Sequence, residues 1–164
     1  MKKYFKILLV FAGLILLLTG CENKSLYSMK TDLSNERGLE KLVGGIDWRP
    51  YKLEAYKVKN KDLEIKVSGE PDISQDKAAK TGFIYGVILL ILTDAEEVRY
   101  TGEDLYFGSI DKDLANEVLK IKYGKEVDDY KKSQEDFDNL IERLKNEKFE
   151  TGAAKFEMME WRLF

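Results

Sequence analysis

The sequence predicts an α+β fold: an antiparallel sheet of two hairpins packed on a central apolar helix, in the order α-β-β-α-β-β-α-α. Residues 82–92 form an uncharged run of 11 residues. A bilayer span needs about 20 residues, so this run is typical of a helix buried on nearly every side. Apolar side chains alternate with charged ones at residues 51–55 and again at residues 63–67, as in strands with one buried face.

The N-terminus has the pattern of a bacterial lipoprotein leader. Three lysines precede an apolar stretch at residues 7–18, which runs into Leu-Thr-Gly-Cys21. Because the apolar stretch is short for a stable span, we expect a signal peptide at residues 1–20. The Leu-Thr-Gly-Cys21 sequence resembles the lipobox, in which the cysteine thiol receives a diacylglyceryl group and the leader is cleaved before it. An uncleaved signal anchor with an incidental cysteine is the alternative.

Lipidation of Cys21 predicts a lipoprotein anchored at the extracytoplasmic face of the cell membrane, with acyl chains such as palmitate in the bilayer. Residues 21–25 are then the lipidated cysteine and its tether, and residues 26–150 have the length of a single domain. Cys21 is the only cysteine, so no disulfide supports that domain. Without the leader's three lysines, 24 basic residues remain against 30 acidic ones, and this net charge gives no footprint for nucleic acid.

A short helix and a hairpin are predicted before the central helix. The helix covers residues 34–43 and ends at two glycines, and three side chains share one face: Leu39, Leu42 and Val43. The hairpin has a polar turn at residues 59–62 between two alternating strands. The side chains expected on its buried face are Tyr51, Leu53, Ala55, Leu63, Ile65 and Val67.

The central helix is predicted over residues 74–93. Asp72 or Ser74 is expected to cap its N-terminus, with Asp76 near the positive end of the helix dipole. Asp94 marks its exit. No Gly-Lys-Ser/Thr sequence follows Gly82 and Gly86, so these glycines favour close packing of the helix rather than a phosphate loop.

A second hairpin and two helices are predicted after the central helix. The strands cover residues 97–101 and 105–110, and Gly102 is expected to supply a left-handed turn. Asp111 caps the next helix, which places Leu114, Val118 and Leu119 inward and ends at Gly124. Ser133 and Asp136 form a weak capping box for the last helix, whose apolar positions follow the helical period: Phe137, Leu140, Ile141 and Leu144.

Residues 151–164 form an apolar C-terminal tail. Six of the ten residues from Lys155 onward are large and apolar, too many for a disordered end. Packing on the domain and contact with the lipid headgroups are the two alternatives. We expect packing, because the charges of the tail cancel and it lacks a basic face.

Three stretches resemble a family of small Firmicutes lipoproteins, of the Domain of Unknown Function 4825 type. They are residues 26–31 (Leu-Tyr-Ser-Met-Lys-Thr), the apolar run that leads into residues 94–98, and residues 122–130 with the helix that follows. The Gly-Asp-Asn turn of that family is absent at residues 32–38. The resemblance implies the fold and an extracytoplasmic location, beside membrane proteins such as metallopeptidase-type antibiotic sensors. It assigns no catalytic residues.

The composition excludes several kinds of chemistry. The chain has no histidine, so a Ser-His-Asp triad is impossible, and once Cys21 is acylated no thiolate or structural zinc site remains. Two acidic clusters lack the spacing of an EF-hand, so we expect Asp111 and Asp113 to cap a helix and Asp128 and Asp129 to lie in a solvated turn. We therefore predict no metal and no cofactor.

The nine tyrosines allow two interpretations. They line a binding face, or they lie half-buried at sheet edges. We favour the second interpretation, because tyrosine fits a pleated surface. The tyrosines concerned are Tyr51, Tyr56, Tyr100, Tyr106, Tyr123 and Tyr130.

The function that remains is a non-catalytic module that binds a partner protein, such as a membrane sensor or transporter, or an envelope ligand. The alternative is an extracytoplasmic hydrolase that uses carboxylates. A cleft holding acidic residues with raised pKa values would favour the hydrolase, and a groove or open sheet edge would favour binding.

Overall fold

The computed structural model describes residues 25–69, 75–102 and 108–146. A 3₁₀ helix at Leu26–Met29 opens the chain, and nine elements follow: α1 (Glu36–Gly45), β1 (Tyr51–Lys59), β2 (Asp62–Gly69), α2 (Gln75–Leu92), β3 (Glu97–Thr101), β4 (Ser109–Asp111), α3 (Lys112–Tyr123), α4 (Val127–Tyr130) and α5 (Gln134–Asn146). The predicted α+β class is confirmed, and α4 is added to the predicted order.

The four strands form one sheet in the order β1-β2-β3-β4. Both predicted hairpins are present and antiparallel, but they meet in a parallel pair, β2 with β3. The sheet is therefore mixed rather than antiparallel throughout. The reason is α2, which joins β2 to β3 as a crossover, and a crossover helix returns the chain to run parallel to the strand that it left.

The predicted burial of the central helix is confirmed. Leu89, Leu90 and Ile91 are 0% exposed, although they point in different directions around α2. One side of α2 packs on β3 and β4, and the other packs on α4 and α5. Gly86 permits the close approach to the sheet, because a Cβ there would lie 2.1 Å from Cγ2 of Ile110 in β4.

The exit of α2 is tied to the rest of the chain. The Leu92 carbonyl accepts a hydrogen bond from the Thr31 amide at 2.9 Å, and Asp94 Oδ1 accepts one from the Leu33 amide at 2.7 Å. Lys131 Nζ donates to the Thr93 carbonyl at 2.9 Å, and burial lowers the pKa of this ammonium group. The predicted exit at Asp94 is confirmed, and the carbonyls at the negative end of the helix have partners.

Two details of the hairpins differ from the prediction. A β-bulge between Leu53 and Ala55 leaves Glu54 without a cross-strand partner and reverses the alternation, so Ala55 is exposed and Tyr56 lies opposite buried Ile65. The prediction of a left-handed turn at Gly102 is wrong, because the φ angle of this residue is 158°, which is close to an extended conformation. The second hairpin pairs over Ser109–Asp111, and residues 103–107 lie outside the described residues.

The two predicted helices after the sheet, α3 and α5, begin as predicted, and α3 also ends as predicted. Asp111 Oδ1 accepts a hydrogen bond from the Leu114 amide at 2.7 Å, and Gly124 ends α3 in the left-handed conformation with φ 73°. Leu119 is buried, whereas Leu114 and Val118 are half-buried against the core. Ser133 Oγ accepts from the Asp136 amide at 3.2 Å, and the four predicted apolar residues of α5 are all buried.

Several predictions fall outside the described residues. These are the signal peptide, the lipidated Cys21 and most of its tether, the caps at Asp72 and Ser74, and the C-terminal tail at residues 151–164. They remain predictions.

Candidate binding groove

A groove of about 630 Å³ separates α1 from β1. Its helix wall is formed by Glu36, Arg37, Leu39 and Glu40, and its strand wall by Tyr56, Lys57 and Val58; Leu33 and Ser34 complete the lining. This volume is within the range of ligand pockets in proteins.

The helix wall is held in place by the local sequence around α1. Asn35 Oδ1 accepts a hydrogen bond from the Gly38 amide at 3.1 Å, which fixes the first turn. Leu39, Leu42 and Val43 are buried in the core and therefore set the rotation of the helix. The exposed side chains Glu36 and Glu40, four residues apart, then stand beside the groove.

The strand wall belongs to the face of the sheet that points to the core. Tyr56 pairs with Ile65 and Val58 pairs with Leu63, and both partners in β2 are 0% exposed. Val58 itself is 36% exposed and Tyr56 is half-buried. The inward face of β1 is therefore left partly uncovered at the hairpin tip, where α1 stands away from it.

The opposite, outward face of β1 carries lysines. Lys57 and Lys59 pair in register with Glu64 and Asp62 of β2, yet in the described part of the chain neither lysine has a carboxylate within ion-pair distance. Of these two acids, Asp62 is bound by Arg99 of β3 at 3.4 Å. The outward face of β1, next to the groove, therefore carries two lysines that an acidic ligand could pair with.

The third lysine of this strand is neutralised at the bulge. Glu54 Oε1 lies 3.4 Å from Lys52 Nζ and accepts a hydrogen bond from Ser68 Oγ at 2.6 Å. The Ser68 hydroxyl, followed by the Lys52 ammonium, lowers the pKa of Glu54. Lys52 and Glu54 therefore stabilise the bulge rather than face a ligand.

The pKa shifts of the described carboxyl groups all have the same direction. Every described carboxyl group whose pKa departs from its ordinary value is lowered; they are Asp47, Glu54, Glu97, Asp128 and Asp129. The extreme case is Asp47, whose pKa falls to about 2 because of the hydrogen bond from the Arg49 guanidinium. A carboxylic acid that donates a proton near neutral pH needs the opposite shift.

The described tyrosines differ in burial. Tyr51, Tyr100 and Tyr130 are buried, Tyr56 and Tyr123 are half-buried, and Tyr106 lies outside the described residues. Tyr100 Oη donates to the Gly82 carbonyl at 2.8 Å. Of the tyrosines that the structure describes, Tyr56 is the one that lines the groove.

The two acidic clusters have structural partners. Asp111 caps α3, while Asp128 lies 2.8 Å from Lys112 Nζ and Asp129 lies 2.8 Å from Lys132 Nζ. Asp128 and Asp129 stand in the first turn of α4 rather than in a turn between elements. Within residues 25–69, 75–102 and 108–146, no group of three or more ligating side chains is placed to hold a metal ion.

No protein-family model, curated protein or solved structure matches the chain. Among the described helices, none is both long enough and apolar enough to span a membrane.

The groove was not predicted from the sequence. Alternation in β1 indicated a buried face, but the bulge at Glu54 changed which residues occupy it. The one signal for the groove in the sequence was Val58, which lies between two lysines. An apolar residue at this position belongs to the inward face only if β1 continues as far as the hairpin turn.

Proposed function

We propose that this chain is a lipid-anchored extracytoplasmic module that binds a partner protein in the groove between α1 and β1. The observation that supports it best is the uncovered strand wall, where Val58 is 36% exposed while its neighbour in β2, Leu63, is 0% exposed. Val58 lines the groove together with Leu33, Leu39 and Tyr56, and apolar side chains grouped in this way are typical of surfaces that bind another protein.

The lipid part of the proposal rests on the sequence up to Cys21. The described domain begins at Ser25, four residues later, and four extended residues span at most about 14 Å. Ser25 lies against α5, with its Oγ 3.5 Å from Asp138. A lipid on Cys21 would therefore hold the α5 side of the domain close to the membrane, which suits a partner that is itself a membrane protein, such as a sensor or a transporter.

A hydrolase that uses carboxylates has less support. The groove contains two glutamates of α1, both exposed and on one wall, and Arg37 and Lys57 are beside them. The lowered pKa values described above suit ion pairs at the surface rather than general acids.

Crosslinking in intact bacterial cells tests the binding surface. A photo-reactive phenylalanine replaces Val58 in the full-length chain, and the control replaces Ile121 of α3, which is 70% exposed. We expect an adduct of discrete mass with one identified protein from position 58 and none from position 121. Equal adducts from both positions, or none from position 58, would contradict binding in the groove.

The anchor is tested in the same cells with Cys21→Ala. We expect the variant to leave the membrane fraction and the adduct at position 58 to weaken, because the anchor no longer concentrates the domain beside its partner. A variant that is processed and held in the membrane like the parent would overturn the lipid anchor.

A further inference from the structure

We infer that the partner adds one strand to β1, and that the added segment is extended and alternates acidic with apolar side chains. Like the proposed function on which it rests, this mode of binding uses the strand wall of the groove. It also requires a partner segment of a particular chemistry, acidic and apolar in alternation.

The sheet has an open edge at β1. β1 is nine residues long and ends the strand order, so in the described part of the chain β2 is its one strand neighbour. Backbone N–H and C=O groups on the other side of such a strand can pair with an extended segment, as in proteins that bind peptides by strand addition.

The apolar half of the pattern follows from the groove. Side chains on one face of an added strand would point in the same direction as Tyr56 and Val58, into the groove and toward buried Leu39 of α1. Apolar side chains at alternate positions of the segment would cover the part of the β1 inward face that α1 leaves open.

The acidic half of the pattern follows from the outward face of β1. The other side chains of the segment would lie on the outward face, next to Lys57 and Lys59, which have no ion-pair partner among the residues described. Opposite charges on neighbouring strands stabilise a pair, and like charges directly opposite each other destabilise it. Acidic residues therefore suit these positions.

The same charges disfavour a second copy of this chain as the occupant. Two β1 strands that paired through residues 57–59 would bring the outward lysines of one copy against the outward lysines of the other. Lysines and a bulge are also devices by which edge strands avoid pairing with themselves. Of these two features, the lysines favour an acidic segment of another protein over a second copy.

Synthetic peptides test this inference on the full-length chain in detergent. The probe is a blocked, fluorescent nonapeptide of alternating valine and glutamate, and its matched control has lysine in place of glutamate. A third peptide keeps the glutamates but carries N-methyl groups on alternate amides, which removes the donors on one edge. We expect the glutamate peptide to bind about tenfold more tightly than the lysine peptide, and N-methylation to abolish most of its binding.

Charge reversal on the protein provides the matched variants. Lys57→Glu combined with Lys59→Glu should invert the preference between the two peptides. Lys41→Glu combined with Lys145→Glu changes the net charge equally at exposed sites outside the groove and should leave the preference unchanged.

Three outcomes would overturn the inference: no measurable binding of the glutamate peptide, equal affinity for the glutamate and lysine peptides, or binding that is insensitive to N-methylation. Any of these together with a specific adduct at position 58 would keep the binding groove and reject strand addition by an acidic segment. Absence of a crosslinked adduct at position 58 would reject the groove as the binding site.

Discussion

The two edges of the sheet are built in opposite ways. β4 has three residues and leads directly into α3, whereas β1 has nine residues and ends in a hairpin tip. The inward residue of β4, Ile110, is 2% exposed and lies against Gly86 of the central helix. The inward residue Val58 of β1 is 36% exposed beside the groove.

This difference shows that one sheet can be closed at one edge by its connections and left open at the other. At β4, the strand is three residues long and α3 begins at the next residue, Lys112, so little extended backbone is available there for another chain to pair with. At β1, lysines and the bulge are the protection, and neither feature occupies the backbone groups on the free side.

The largest expected effect comes from one substitution made at both edges. Ile110→Asp places an unpaired carboxylate in the core, which costs several kcal/mol of a total stability of roughly 5–15 kcal/mol, so we expect unfolding at room temperature or slightly above. Val58→Asp leaves its carboxylate in water beside Lys57 and should cost less than about 1 kcal/mol. Thermal and urea melts of the two variants measure the difference; similar losses would mean that the β1 edge is as closed as β4.

A smaller effect is expected at two helix glycines, one in α2 and one in α1. Gly86→Ala would place a methyl group 2.1 Å from Ile110 Cγ2, and overpacking of this kind costs about 1–3 kcal/mol, more than the gain of about 1 kcal/mol from helix propensity. A Cβ at Gly44 of α1 has no atom within 4 Å, so Gly44→Ala should stabilise the chain by about 0.5 kcal/mol. Urea midpoints measure both, and a stabilised Gly86→Ala would contradict the tight contact of α2 with β4.

The sequence predicted the elements whose signals are local. Asp111 and Gly124 mark the two ends of α3 because a cap and a left-handed glycine are determined by adjacent residues. The uncharged run of α2 and the helical period of α5 were sufficient to predict these two helices, because both signals also come from adjacent residues. By contrast, α4 has four residues, which is too short to show a period, although buried Val127 and Tyr130 hold it to the core.

The features that escaped prediction depend on contacts between distant residues. The parallel pairing of β2 with β3 follows from the path of α2, and the alternating pattern of each strand is compatible with either direction. The bulge at Glu54 depends on Ser68, 14 residues later, which donates to its carboxylate. The groove depends on the distance between α1 and β1, and a residue pattern gives no such distance. Tyr85 illustrates the same limit, because its Oη reaches the Asp47 and Arg49 carbonyls, 38 and 36 residues away, and burial raises its pKa to about 12.

The most direct test of the open edge is amide hydrogen exchange of the full-length chain, measured residue by residue with and without the valine–glutamate peptide. The account predicts slower exchange at alternate amides of β1, where an added strand would accept hydrogen bonds, and unchanged exchange in β4. Protection at β4, or unchanged exchange throughout β1 under conditions where the peptide is bound, would contradict it.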